Sequence, residues 1–486
     1  MTMIETVRPQ TAPQGWLEIV RSRLGLGVAA TATALALAVL LDGGMWHIAL
    51  ALLMLPPAFV VVHRAPLAAV LGWLFIVPLL LNLDGLRPIF WLVHRLMPLA
   101  LLGLFVVTRL VGIRSQRLVR LGAPEAMMAG YVAVTIVSVL YQSDASNAAL
   151  IDVYDRIIAP MALYLVVRLT QPDERVFRWL GPLAGFIVVT QTIFGLLSWT
   201  APGLLPSDWL TRVNTRTTGS LISPSVYGVT MLAAGMILLH IAANERVRWR
   251  RLAGQALFGL AFLMAILSLT RGVWLAAVAA LAMLSFAHPA SVRRVLQVAL
   301  PVIAILIVSG AANAQLERLE TRFESDSTAL SRLPVVYASL EMFQERPVLG
   351  WGFGNFDEID RQFQRSVAGF FPEKDQASHN LYLTVLAEQG LVGLTLFIGP
   401  ALWWLVRSRR AYRYLPRSGL VSRTLLITLW AILLAHLAVN NLSNMRSVFG
   451  LGSWWLTLGM IGVVVSSVND SRAADELPLL SDGPRR

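Results

Sequence analysis

Apolar runs of about 17–25 residues, the length that crosses a bilayer as a helix, alternate along this chain with short polar breaks. They fall at about 24–41, 45–62, 66–83, 90–111, 125–141, 156–169, 176–199, 221–242, 252–269, 273–287, 295–312, 380–406, 420–439 and 450–468. The pattern predicts an all-α, polytopic integral membrane protein with about fourteen transmembrane helices, the 156–169 run being the shortest. One long polar stretch, 313–379, interrupts the series. Within it Leu316, Leu319 and Phe323, then Leu330, Leu333, Val336, Leu340 and Phe343, recur at helical spacing. Short amphipathic helices lying over the mouth of the membrane domain are expected there. The expected organisation is a tail at 1–23, helices 1–11 in 24–312, a loop at 313–379, helices 12–14 in 380–468 and a tail at 469–486.

Arginines give this series a direction. Alternate breaks carry Arg21/Arg23, His63-Arg64, Arg114/Arg117/Arg120, Arg168 to Arg178, Arg246 to Arg251, Arg293/Arg294 and Arg407 to Arg423. Basic short loops stay in the cytoplasm, so both termini are expected inside and the net acidic 313–379 loop outside. The N-terminal stretch to Arg23 is polar, has an early Glu5 and reads as a cytoplasmic tail rather than a signal peptide. No repeat or duplicated half is present, which counts against repeat-built transporters.

Composition supports the membrane reading: 56% of residues are hydrophobic and 14% charged, with mean hydropathy +0.65. A soluble domain carries roughly 25% charged residues. The net charge of +12 resides in short loops between apolar runs, which excludes a nucleic-acid partner. The chain has no cysteine, so disulfides, thiolate metal sites and cysteine nucleophiles are ruled out.

Four residues outside the cytoplasmic loops carry candidate chemistry. His379 stands where the apolar run from Leu381 begins, with Ser378 the expected helix cap. A neutral imidazole there can take a proton from a hydroxyl, or merely hydrogen-bond a loop carbonyl. Arg271 lies at the outer end of two spans joined by almost no loop, a place where arginine is avoided unless it has work to do. Its fork matches phosphate oxygens, although it can also anchor at the interface beside Trp274. Arg216 occupies the preceding outer loop, with Arg212 as competitor and a solvated loop arginine as the plainer reading. Glu388 lies about two and a half turns beyond His379 and on the opposite face, as an auxiliary acid/base group or as the structural partner of an arginine or amide. Asn440, Asn441, Asn444 and Arg446 form a further polar outer loop. Asp42 and Asp84 precede glycines as turn residues. The remaining histidines, His47, His63, His94, His240, His288 and His436, lack any metal-ligand spacing, so no metal or cofactor is expected.

The run RPVLGWGFGNF from Arg346, followed by SHNLYLTVLAEQGLVG from Ser378, resembles the large extracytoplasmic loop and following helix of the O-antigen ligase and polysaccharide polymerase superfamily. Ser268-Leu269-Thr270-Arg271-Gly272 and Arg216-x-x-Gly219 with Pro224 resemble two further motifs of that family, with Ser225 where the family more often has Asn. The resemblance covers about 210–450. It implies a metal-independent, inverting glycosyl transfer at the outer face of the bacterial inner membrane, from a polyprenyl-diphosphate-linked glycan to lipid A–core, a glycan or a protein hydroxyl. In it His379 activates the acceptor while Arg216 and Arg271 hold the leaving diphosphate. The rival class is a multi-span transporter or lipid flippase.

Overall fold

The computed structural model describes residues 70, 95, 97–103, 105–106, 119, 121–142, 147–172, 174–206, 216–221, 223–310, 313, 317, 320, 332–367, 378–446 and 448–475. The chain divides into two compact units, 1–64 and 65–486, and all described residues belong to the second. Helices dominate them. They are α1 (Ala123–Gln142), α2 (Asn147–Val153), a π-turn (Tyr154–Ile158), α3 (Ala159–Thr170), α4 (Glu174–Thr200), α5 (Pro224–Asn244), α6 (Arg248–Ile266) and α7 (Arg271–Ala287). There follow α8 (Pro289–Val308), α9 (Leu333–Glu345), α10 (Phe356–Phe363), α11 (Leu381–Tyr412), α12 (Arg423–Asn440) and α13 (Val448–Asp475).

Each expected span from 125 onward meets a helix, and among the described residues six helices are long and apolar enough to cross a membrane: within α1, α4, α5, α11, α12 and α13. α7 is apolar but shorter. The first four expected spans fall almost wholly outside the described residues, as do Asp42, Asp84, His47, His63, His94 and Arg212. So do Leu316, Leu319, Phe323 and Leu330. The second half of the amphipathic pattern is observed as α9.

α5 and α13 are the most buried spans and form the centre. Both are apolar on all sides, as a helix must be when neighbours surround it. α5 packs on α4, α6 and α12, α7 on α12, and α13 on α3 and α12. Small residues allow close approach: a side chain at Gly235 would press on Ala261, and one at Gly254 on Ala242, along the α5–α6 seam.

The structure corrects one charge assignment. Arg168 is not a loop cation: its side chain is 3% exposed and paired with Glu125 at 3.4 Å. It donates to the Gly462 carbonyl and Ser466 Oγ, while Tyr164 donates to Glu125 and accepts from the Trp404 indole. This network ties α1, α3, α11 and α13 together, and its pairing is what makes a buried charge tolerable.

Candidate functional site

α11 begins with an exchange of polar side chains that fixes His379. Asn380 is the helix cap, its Oδ1 accepting from the Tyr382 and Leu383 amides at 2.9 and 3.0 Å. The expected cap, Ser378, lies one step further out and bonds Thr384 Oγ1 at 2.5 Å instead. His379 therefore precedes the helix rather than entering its first turn, held between two fixed neighbours. Asn380 Nδ2 also donates to Asn441 Oδ1 at 2.9 Å, linking this start to the end of α12. A cavity of about 140 Å³ opens beside it, lined among others by His379, Arg332, Ser339, Asn380, Asn441 and Leu442.

Arg216 reaches this region because its loop is stapled from below. Thr217 Oγ1 donates to the Leu267 carbonyl at 3.0 Å, in the turn between α6 and α7. Gln191 of α4 donates to Ser220 Oγ at 2.9 Å and accepts from the Ser220 amide at 3.1 Å. Gly219 takes φ 53°, and a Cβ there would overlap Gln191. Only glycine combines that left-handed turn with that contact. The α6–α7 turn carries Leu269 at φ 51° and delivers Arg271 as the first residue of α7. The following Gly272 lies against Leu442 and Val439 of the α12 end.

Arg332 completes the arrangement and was not singled out by sequence, being one of seven basic residues in a net acidic loop. It is the N-cap residue of α9, and its Nη1 donates to the Leu442 carbonyl at 3.1 Å. Thus the N-terminal ends of α7, α9 and α11 meet at Asn441–Leu442, each bearing its positive dipole end there. Burial, then Arg216, then Arg271 push the Arg332 pKa down, and burial also lowers that of Arg216. His379 is pushed down to about 4, first by burial, then by Arg332 and Arg216. Its imidazole is neutral at pH 7. No described carboxylate pairs with Arg216 or Arg332.

Glu388 lies elsewhere. It is 2% exposed and paired at 2.7 Å with Arg446, itself 10% exposed and stacked over Phe353. Of the two readings left open for Glu388, the structure places it with an arginine. Its backbone is held by the glycine-rich run: Gly352 donates to the Glu388 carbonyl at 2.7 Å and Trp351 to Ala387 at 3.0 Å. In return Leu391 donates to the Pro347 carbonyl at 2.8 Å and Val392 to Val348 at 3.2 Å. The two chains exchange backbone bonds where α11 breaks at Gly390, φ 63°. The two halves of the extended motif are therefore one structural unit. Arg446 turns into this pair, whereas Asn441 lines the cavity.

The other described histidines are taken up in packing. His240 and His288 bond each other at 3.2 Å, and His436 bonds Ser453 at 3.1 Å. Among the described residues no group of three or more His, Asp and Glu is set to hold a metal ion.

Residues 256–398 match the family model described as O-antigen ligase. The matched segment takes in Arg271, Arg332, His379, Glu388 and the glycine-rich run, and it is over this segment that the chain is similar to the O-antigen ligase-like superfamily. Arg216 and α12 lie outside it. No curated protein matches the chain.

Proposed function

We propose that this multi-pass membrane protein transfers a glycan from a polyprenyl diphosphate to an acceptor hydroxyl at the outer face of the inner membrane, as an O-antigen ligase or polysaccharide polymerase. The observation that carries the reading is that Arg216 bears on a neutral His379 while Arg216 and Arg271 both bear on Arg332 beside it, where helix starts converge. Such a place attracts a multiply charged anion and offers a base beside it. The acceptor oxygen attacks the anomeric carbon from the face opposite the diphosphate, and the acceptor proton passes to the free imidazole nitrogen of His379. The anomeric C–O bond breaks with its electron pair going to the polyprenyl diphosphate, whose growing charge Arg216 and Arg271 stabilise. Configuration at the anomeric carbon inverts, no metal takes part, and both termini lie in the cytoplasm.

The test uses purified full-length protein, a defined undecaprenyl-diphosphate-linked oligosaccharide and, separately, lipid A–core, free glycan and a peptide hydroxyl. Transfer with inversion to one of these, retained in EDTA, is the expected result. Absence of transfer to every acceptor class, with donor moved between leaflets of a vesicle instead, defeats the reading in favour of a flippase.

A further inference from the structure

α11 is longer than a bilayer needs, and its 32 residues are divided at Gly390. The exposed Arg407, Arg409 and Arg410 mark one end of the part that crosses, and Arg407 lies over the Trp403 ring as cations and indoles do at an interface. Leu391 stands sixteen residues before Arg407, about 24 Å away at a rise of about 1.5 Å per residue. The hydrocarbon layer is about 30 Å thick, so Leu391 lies about 6 Å inside its other boundary. Leu391 and Leu402, 57% and 56% exposed, are eleven residues apart, close to three whole turns, and share the face that lipid covers.

The turn between α9 and α10 is bonded to the chain at that depth. Leu391 donates to the Pro347 carbonyl and Val392 to that of Val348. In this turn Pro347, Val348 and Leu349 are exposed in succession, Val348 at 60% and Leu349 at 50%. Set against Leu391, they continue the lipid-covered surface of α11. The backbone suits a place of low polarity: Pro347 has no N–H, its carbonyl and that of Val348 are bonded to α11, and the Arg346 carbonyl accepts from Gly350 at 3.1 Å. The exposed Arg346 guanidinium lies 3.8 Å from the centre of the Trp351 ring, a second pair of the kind found at headgroup level.

We propose that the Pro347–Leu349 turn is inserted in the bilayer leaflet nearer His379, an apolar wedge against phospholipid acyl chains with Arg346 among the headgroups. A depth of about 6 Å is that of an interfacial apolar segment, which enters by roughly 5–10 Å. The 313–379 segment is then not wholly aqueous. The leaflet holds the glycine-rich run against the α11 break, and the wedge gives α9 a second attachment besides its packing on α11.

The chain lacks cysteine, so single cysteines can carry a nitroxide in the full-length protein in phospholipid nanodiscs. Val348→Cys and Leu349→Cys are labelled separately, so that one misfolded variant leaves the other. Leu402→Cys on the lipid-covered face of α11 and the exposed Glu358→Cys on α10 are the references. Collision with oxygen, which concentrates in acyl chains, is compared with collision with a water-soluble nickel chelate. The labels at 348 and 349 are expected to collide several-fold less with the chelate than the label at 358, and with oxygen nearly as often as that at 402. Chelate collision equal to that at 358 would place the turn in water and overturn the proposal. Shielding from both reagents would also overturn it, since protein, such as a second copy of this chain, then covers the turn. No glycan transfer is read, so either result leaves the transfer reading where it stood.

Discussion

Nine positions separate His379 from Glu388, one just before α11 and the other within it, and their surroundings are opposites. Around Glu388 the charges close: one carboxylate, one arginine at 2.7 Å, and backbone bonds from the glycine-rich run. Around His379 they do not: Arg332 and Arg216 both bear on it, and neither has a described counter-ion. A buried pair whose charges cancel holds a structure together, because removing either partner strands the other. An uncancelled cluster weakens the fold that carries it, and such places persist where they bind something. On the proposed reading, the difference gives Glu388 an architectural part and His379 the chemistry.

The sharpest way to break that contrast is His379→Ala. Loss of the base should cut turnover by about 100–10,000-fold with donor binding and membrane abundance nearly unchanged. Transfer at the parental rate would remove His379 from the mechanism. The reciprocal change is Glu388→Gln, which leaves the Arg446 charge buried without its counter-ion, at a cost of about 3–5 kcal/mol. A lower melting temperature and low abundance are expected, with Glu388→Gln/Arg446→Gln recovering part of the loss. If instead Glu388→Gln melts normally and fails only in turnover, Glu388 belongs with the chemistry.

A smaller effect is expected at the joint between the two regions. Gly390→Ala forces a side chain onto φ 63° and against the Val348 carbonyl, costing on the order of 1–3 kcal/mol in backbone strain before any clash. Protease sensitivity of the glycine-rich run should rise, and normal protection would show that the exchanged backbone bonds are dispensable. The smallest effect leaves the rate at pH 7 untouched. With its pKa at about 4 rather than the ordinary 6.5, His379 loses activity only as pH falls through about 4. That acid limb should appear in kcat/KM, which reports the free protein. In kcat it should lie higher, because bound diphosphate cancels the arginine charges that depress it. Coincident limbs in the two profiles would mean that the donor does not touch these arginines. Stability has the same sign. The unfolded chain takes up the proton at 6.5 and the folded one only at about 4, so this residue's contribution, complete above 6.5, is lost as pH falls toward 4.

The membrane-helix architecture over 123–468 was readable from the sequence by itself, since apolar run length and interrupting charge follow from the bilayer's thickness and low polarity. So were His379, Arg216 and Arg271 as candidates, each being a polar group in a place where one is costly. Arg332 was not readable, because an arginine in a polar loop carries no such cost until folding sets it beside Leu442 and two other cations. Nor was the fate of Glu388 or of Arg168: that a charge is buried can be inferred locally, but its partner comes from residues 58 and 43 positions away. Spacing placed the glycine-rich run and the α11 motif side by side, and only the three-dimensional packing made them one element. Their bond is an exchange of backbone hydrogen bonds through a break at Gly390, and no pattern of side chains encodes which carbonyl meets which amide.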